Sequence, residues 1–259
     1  MMIGLRNAWS YYSTKHLIYK LNCNMLKDKI TIIIPCKNEG IIIKRTLDLI
    51  NTQNEIAGTR VIVADCSDDN GFTKNLILSN SEKNVKLEII KGGYPAFGRN
   101  RGAEISKTQY VLFMDADIFL DNPNTLSNIV NDFSNSNKHL ATTRMRTNDG
   151  KYNYVYKIFD FIQKASSLTT PFAIGGFMLF EKNEFDRLGG FIDEDKFAED
   201  YHLSSKIKPS KFKIYNEIVY TTSRRFENKG LRYMVTMMAK SWINRNNDEF
   251  FKKDHDYWT

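Results

Sequence analysis

The sequence predicts a single α/β domain with a mostly parallel central sheet flanked by helices. Short runs rich in β-branched residues alternate with segments of helical periodicity, an order typical of parallel strands joined by right-handed crossover helices. No long linker, low-complexity stretch or internal repeat divides the 259 residues. A chain of this length is common as one α/β domain, so we expect one unit rather than two.

The first half of the chain contains four predicted strands and three predicted helices. The first strand segment, ITIIIP, is a continuous run rich in β-branched residues, as expected for a strand buried on both faces of a sheet. The four strand segments cover residues 30–35, 60–65, 86–90 and 110–115. The helical segments between them cover residues 40–54, 71–80 and 96–107.

The second half of the chain has a different pattern. Residues 151–168 have the periodicity of an amphipathic helix, with apolar positions at Tyr154, Ile158, Phe161 and Ile162. The remaining predicted elements are an apolar run with a glycine pair at 172–181, a helix at 183–191 that ends at Gly189 and Gly190, a helix at 197–208 and a strand at 213–221.

Charge and composition exclude some classes of protein. The net charge of +7 is concentrated at residues 1–29 and 224–259, so the middle of the chain is neutral and offers no nucleic-acid groove. The three cysteines lack metal-ligand spacing, no run of about 18 apolar residues exists, and the start is too polar for a secretory signal. We therefore expect a cytoplasmic location, with peripheral attachment to the membrane face as an option.

The two basic ends also carry apolar stripes. One stripe consists of Leu231, Met234, Val235, Met238 and Trp242, and residues 5–21 contain a similar pattern among lysines and arginines. These are the ingredients of a helix that lies on an anionic membrane surface. Packing against the protein's own core explains the same stripes, and solvated termini explain the charge, so these alternatives stay open.

The most informative motif is Asp115-Ala116-Asp117, which closes the apolar run 110–114. A buried strand here delivers two carboxylates to its carboxyl end, where open α/β sheets bind ligands. Two carboxylates one residue apart can hold a hard divalent cation that also binds phosphate oxygens. The pairs at 193/195 and 254/256 have the same spacing, but neither follows a strand-like run.

Acidic residues follow the first two strands as well. Glu39 comes after Pro35 and Asn38 at the mouth of the first strand, and Asp65 ends the second. Their carboxylates can accept hydrogen bonds from ribose hydroxyls or from a base N–H. A helix N-terminal acid at Glu39, and a turn with a helix cap at 67–71, are the alternative interpretations.

Seven segments, in order over about residues 30–230, resemble a family 2 glycosyltransferase of the GT-A fold. They are IIIPCKNEG (32–40), VADCSDDNG (63–71), GRNRGAEIS (98–106), FMDAD (113–117), GGF (175–177), LGGFIDEDKFAEDYHL (188–203) and SRRF (223–226). The resemblance implies a GT-A domain at 30–230, with a nucleotide-binding half at 30–120 and an acceptor half at 121–230. The apolar stripes at the two basic ends predict a helical N-terminal segment at 1–29 and a helical C-terminal extension at 231–259.

The resemblance also implies roles for individual residues. Asp117, with Asp115, would bind Mn²⁺ or Mg²⁺, and Asp200 would be the catalytic base, with Glu199 as the next candidate. The acceptor or sugar pocket would include Glu199 and the segment Gly175-Gly176-Phe177. The nucleotide-binding residues would be Pro35, Asn38, Glu39, Asp65, Arg99, Asp115 and Arg225.

The implied activity is metal-assisted transfer of one hexose from a nucleotide sugar, most simply a UDP-sugar, to a hydroxyl with inversion. Many members carry a Gln-x-x-Arg-Trp signature where this chain has Thr222 and Phe226 in place of Gln and Trp. The full signature is common in processive synthases, so we expect a single transfer to a glycan or lipid-linked acceptor. An inactive nucleotide-sugar-binding module and a nucleotidyltransferase are the alternatives.

Overall fold

The computed structural model describes residues 25–80, 83–244, 247–253 and 255. The helix expected near residues 5–21 lies outside the described residues. The strands are β1 (Ile30–Cys36), β2 (Arg60–Asp65), β3 (Lys86–Lys91), β4 (Tyr110–Met114), β5 (Leu140–Thr147), β6 (Phe177–Glu181) and β7 (Phe212–Thr221). The helices are α1 (Leu26–Lys29), α2 (Ile41–Asn51), α3 (Phe72–Leu78), α4 (Pro95–Glu104), α5 (Thr125–Ser134), α6 (Asn153–Ser166), α7 (Lys182–Arg187), α8 (Glu199–Ser204), α9 (Arg224–Lys229), α10 (Leu231–Ile243) and α11 (Asp248–Lys252).

The seven strands form one sheet in the order β3-β2-β1-β4-β6-β5-β7. Strands β3, β2, β1 and β4 are parallel neighbours, and β5 is parallel to β7. Strand β6 runs antiparallel to both β4 and β5. The predicted α/β fold with a mostly parallel sheet is therefore confirmed, and β6 joins its two halves.

The sheet has a hydrophobic core on each face. In β1, Ile32 and Ile34 belong to one buried cluster and Ile33 to the other, as the alternation of side chains along a strand requires. Helices α2 and α5 contribute to the first cluster, while α4, α7 and α8 contribute to the second. Burial on both faces explains why β1 is a continuous run of mostly apolar residues.

Three features of the second half differ from the sequence expectations. Helix α5 and strand β5 lie in a region for which the sequence analysis assigned no element. The helix expected at 197–208 is confined to Glu199–Ser204, because Ala198 before it adopts a left-handed φ of 50° and is not helical. The apolar run at 172–181, to which the sequence assigns no element type, forms a strand only from Phe177 onward.

Helix α6 turns its apolar stripe outward. An amphipathic helix normally buries such a stripe, but Tyr154, Ile158, Phe161 and Ile162 are all exposed. The buried residues of α6 are instead Val155, Tyr156 and Gln163.

Helix α10 buries only part of its predicted apolar stripe. Leu231 and Met234 pack on the core and Met237 is buried, whereas Val235 and Trp242 are exposed. Packing on the domain therefore accounts for only part of the stripe. None of the helices in the described ranges has the length and apolarity of a membrane span.

Candidate active site

The carboxyl ends of β1, β2 and β4 open onto a pocket of about 740 Å³. This is the edge at which open α/β sheets bind ligands. The pocket is lined by acidic, amide and basic side chains from both halves of the chain. Among the predicted site residues it brings together Pro35, Asn38, Glu39, Asp115, Asp117 and Arg225.

Asp117 is held by the end of β7. Its Oδ2 accepts hydrogen bonds from the hydroxyls of Thr221 and Thr222, each at 3.1 Å. Thr222 stands where the family signature has Gln, and here it fixes one of the two carboxylates of the Asp-x-Asp step.

Arg99 is the buried centre of the site. Its side chain is 1% exposed, and its Nη2 donates to Asp115 Oδ1 at 2.7 Å. Its Nη1 donates to Glu199 Oε1, and the carbonyl oxygen of Gly175 lies 3.4 Å from Nη2. The guanidinium therefore compensates two carboxylates that come from opposite halves of the chain. Arg99 does not line the pocket in this structure, and its predicted contact with nucleotide stays a prediction.

Glu199 and Asp200 open helix α8 and have different surroundings. Glu199 is buried against Arg99, and burial raises the pKa of its carboxyl group to about 7, although Arg99 opposes the shift. Asp200 is only half-buried; its Oδ2 accepts from the Gly175 N–H at 2.6 Å, and its Oδ1 from the Tyr201 N–H at 2.7 Å. Burial also raises the pKa of Asp200. Two backbone N–H groups thus fix the orientation of this carboxylate.

The glycine pair before β6 lies close to other side chains. A Cβ atom on Gly175 would lie 3.1 Å from both Arg99 Nη2 and Asp200 Oδ2. A Cβ atom on Gly176 would lie 2.4 Å from Met145 Cε, so the flexible methionine side chain would have to move to accept it. The ring of Phe177 is buried in the core. Only the backbone of this segment faces the site, and its contact with a sugar stays a prediction.

Arg224 is a pocket residue that the sequence analysis did not single out. Its Nη2 donates to both carboxylate oxygens of Glu39 at 2.9 Å, and so links residues 185 positions apart. Burial raises the pKa of the Glu39 carboxyl group, and Arg224 opposes this shift. The only local signal was its place in the segment SRRF, in which Arg225 was preferred.

Hydrogen bonds connect the turn after β2 with the turn after β1. Asp65 Oδ1 accepts from Ser67 Oγ at 2.6 Å and from the Ser67 N–H at 3.0 Å. Asn38, which adopts a left-handed φ of 55°, exchanges two hydrogen bonds with Asp68. The turn interpretation of this segment is consistent with these contacts. Asp65 does not line the pocket, and its contact with a nucleotide stays a prediction.

The carboxylates Asp115 and Asp117 fit a divalent cation that is shared with a bound diphosphate. Both line the pocket, and the hydrogen bonds described above use one oxygen of each. Within the described ranges, no group of three or more His, Cys, Asp or Glu side chains could hold a metal alone. Mg²⁺ and similar ions commonly bind through one or two carboxylates and substrate phosphates, which is the chemistry that this pair offers.

The C-terminal segment packs next to α8. His202 Nδ1 lies 2.8 Å from Asp195 Oδ2, and both side chains are buried. The ring of Phe251, which is fully buried, stacks on His202 with ring centroids 4.8 Å apart. The sequence favours a simple helix-surface position for His202 over a role in shaping the site, whereas its side chain is buried in the structure. In the structure it connects α11 to the helix that carries Asp200.

Comparisons with known proteins agree with this architecture. The chain is 23% identical over 202 residues to the O-antigen chain rhamnosyltransferase RfbN of Salmonella typhimurium, covering 72% of this chain and 63% of that protein. It is 32% identical over 96 residues to the poly(ribitol-phosphate) β-N-acetylglucosaminyltransferase TarP of Staphylococcus aureus, covering 36% of this chain and 29% of that protein. In both cases the chain spans less than two thirds of the relative's length.

Solved structures share the fold. The mannosyltransferase PcManGT of Pyrobaculum calidifontis, in complex with GDP-Man and Mn²⁺, superposes with a TM-score of 0.62 at 21% identity, over 83% of this chain and 64% of that one. TarS 1–349 of S. aureus with UDP-GlcNAc superposes with a TM-score of 0.58 at 17% identity, over 75% of this chain and 58% of that one. Residues 31–189 match the profile of Glycosyl transferase family 2, and the chain therefore belongs to this family.

Proposed function

We propose that this chain transfers one hexose from a nucleoside-diphosphate sugar to an acceptor hydroxyl, with inversion at the anomeric carbon. Asp200 is the catalytic base, and a UDP-sugar is the proposed donor. The observation that carries the proposal is the position of Asp200. Its carboxylate is oriented by two backbone N–H groups and lies beside the guanidinium that holds Asp115 of the Asp-x-Asp pair.

The choice of Asp200 over Glu199 rests on their contacts. Glu199 is 5% exposed and its charge is compensated by Arg99, so its oxygens are poorly available to an acceptor. Asp200 is more exposed and forms no salt bridge among the described residues. Its raised pKa makes it a stronger base for the acceptor proton than an ordinary aspartate.

The donor side of the reaction needs charge compensation. Asp115 and Asp117 are the residues that would hold Mn²⁺ or Mg²⁺, which neutralises charge on the departing nucleoside diphosphate when bound. Arg225 lines the same pocket and supplies a guanidinium suited to phosphate oxygens. The leaving group needs no proton, so one carboxylate base is sufficient for the transfer.

Donor and acceptor are proposed at the level of chemical class. Structural neighbours bind UDP-GlcNAc, GDP-Man and UDP-Glc, which supports a nucleotide sugar and leaves the base to be tested. The relatives RfbN and TarP are named for transfer to an O-antigen chain and to poly(ribitol-phosphate), which supports a glycan or lipid-linked polymer as acceptor. We place donor binding in residues 30–120 and acceptor binding in 121–230.

The test is release of nucleoside diphosphate from a panel of UDP-, GDP- and dTDP-sugars, with and without Mn²⁺. Asp200→Asn should retain donor binding and lose about 10²–10⁴-fold in turnover, because an amide cannot accept the proton. Asp193→Asn, on the exposed loop before α8, is the matched control and should retain turnover. Near-normal turnover of Asp200→Asn would exclude this base, and nucleotide binding without turnover of any donor would favour an inactive binding module.

A further inference from the structure

The outer face of α6 exposes a group of large apolar side chains. It consists of Tyr154, Ile158, Phe161, Ile162 and the following Leu168, which are between 45% and 79% exposed. Single exposed apolar residues are ordinary, but a contiguous group of this size normally marks an interaction site. We call this group the α6 surface.

A second exposed apolar face lies on α10. Val235, Trp242 and Ile243 are between 51% and 68% exposed. The first turn of α10 packs through Leu231 and Met234 on the core cluster that also contains the buried side of α6. Both helices therefore belong to one side of the core, and each has large apolar side chains that are exposed to solvent.

The charges on these two helices indicate the occupant. Helix α6 has exposed Lys157 and Lys164, and its single acid, Asp160, is neutralised by Arg146 at 2.6 Å. Helix α10 has exposed cationic side chains at 232 and 240 and no Asp or Glu between Leu231 and Ile243. Apolar side chains flanked by cations, without free acids, are typical of helices that lie in the headgroup region of an anionic bilayer. A second copy of the chain would bring like charges together.

We propose that the α6 surface, with the exposed face of α10, binds an anionic lipid bilayer. The inserted side chains are those of the α6 surface together with Trp242, and the lysines contact lipid phosphates. Attachment is reversible and sensitive to salt, because the exposed lysines and arginines are screened by ions.

The position of this surface relates it to the reaction. The end of α6 is fixed by Gln163, whose Nε2 donates to the carbonyl of Phe172 at 2.9 Å. Three residues later, the Gly175 N–H donates to Asp200. A bilayer bound at α6 would therefore lie on the acceptor side of the site. The inference goes beyond the proposed function, and its test does not depend on turnover.

The experiment is co-sedimentation of the full chain with vesicles of phosphatidylcholine alone or with phosphatidylglycerol added. Binding is expected only with the anionic lipid and should fall as salt is raised. The double variant Ile158→Ser with Phe161→Ser should lower the partition coefficient by about 10-fold or more, because two apolar side chains no longer leave water. The matched control is Ile41→Ser on α2, which is 70% exposed and should bind as the wild type does.

Two further measurements on the same proteins exclude other occupants. Without vesicles, the double variant should keep the melting temperature and the oligomeric state of the wild type. A lower melting temperature would show that the α6 surface is covered by another segment of the chain, such as residues 1–24, and a change in mass would show a second copy. Either result, or equal vesicle binding by variant and wild type, overturns the proposal. Vesicle binding without any nucleotide release would overturn the proposed function instead.

Discussion

Replacing Arg99 by Met should destabilise the protein far more than any nearby charge substitution. The Arg99 side chain is 1% exposed and compensates both Asp115 and Glu199. Methionine fills a similar volume but leaves these carboxylates without a counter-charge. Removing one partner of a buried ion pair costs about 3–5 kcal/mol, since the remaining charge has lost its solvation and its partner.

Arg101 offers a matched control on the same helix. It is 58% exposed and pairs with Glu104 at 3.2 Å across one turn. Solvent screens such a pair, so Arg101→Met should change the free energy of unfolding by less than about 1 kcal/mol. Urea unfolding at pH 8 measures both variants, and an unchanged dependence of free energy on urea concentration shows that the comparison is valid.

The loss should also depend on pH. Burial raises the pKa of Glu199 from 4.5 to about 7, so the folded protein binds more protons than the unfolded chain between these values. The contribution of Glu199 to stability is therefore full below about pH 4.5 and is lost as the pH rises through 7. Without Arg99, ionisation becomes harder still, and Arg99→Met should be more destabilising at pH 8 than at pH 5. Equal losses for Arg99→Met and Arg101→Met at pH 8 would refute this account of the site.

Three further outcomes are expected. In titration calorimetry, Mn²⁺ should strengthen UDP binding by the wild type but not by Asp117→Asn. The control Asp121→Asn, at an exposed neighbouring position, should bind as the wild type does. Equal affinity of the wild type with Mn²⁺ and with EDTA would contradict the metal role. Gly175→Ala should lower turnover more than donor affinity, because its methyl group would lie 3.1 Å from Asp200 Oδ2; kinetics that change only the donor KM would count against this. Phe251→Ala should cost about 3–5 kcal/mol in urea unfolding, as expected for a buried aromatic ring; a loss below 1 kcal/mol would mean that α11 is not part of the folded unit.

The fold of the first half could be predicted because three of its four strands, β1, β2 and β4, are largely buried on both faces. Strand β1 reads Ile-Thr-Ile-Ile-Ile, and such a run has few alternatives to a central strand. Strand β5 is not predicted from the sequence because its residues, Leu-Ala-Thr-Thr-Arg-Met-Arg-Thr, include polar side chains at buried positions. The hydroxyl of Thr142 is satisfied there by the carbonyl of Phe177 at 2.8 Å, a contact that only the folded sheet provides.

The outward stripe of α6 shows why periodicity alone is insufficient. The spacing of Tyr154, Ile158 and Phe161 marks a helix correctly, but it does not say which side faces the core. That choice depends on the partner: the rings of Tyr152 and Tyr156 contact Phe226 of α9, with centroids 4.7 Å and 5.8 Å away. These aromatic contacts turn the side of α6 that contains Tyr156 towards the core, so the predicted apolar stripe faces solvent.

The carboxylates of the site can be recognised in the sequence because they follow predicted strands. The residues that contact these carboxylates are distant in the chain. Arg99 reaches Glu199 across 100 positions, and Asp117 reaches Thr221 across 104. Arg224 was missed for the same reason, since nothing near it in sequence indicates Glu39. Sequence motifs therefore predict which residues are at the site more readily than which of them touch.

This long-range assembly determines what each half can do alone. Residues 30–120 contain Arg99, Asp115 and Asp117, yet the hydroxyls that hold Asp117 and the carboxylate that shares Arg99 come from residues 199–222. Without the second half, a guanidinium that is now buried would face water, and the strand end would lose the contacts that orient its carboxylates. The proposed nucleotide-binding and acceptor halves are therefore parts of one folded unit, and the geometry of the first depends on contacts from the second.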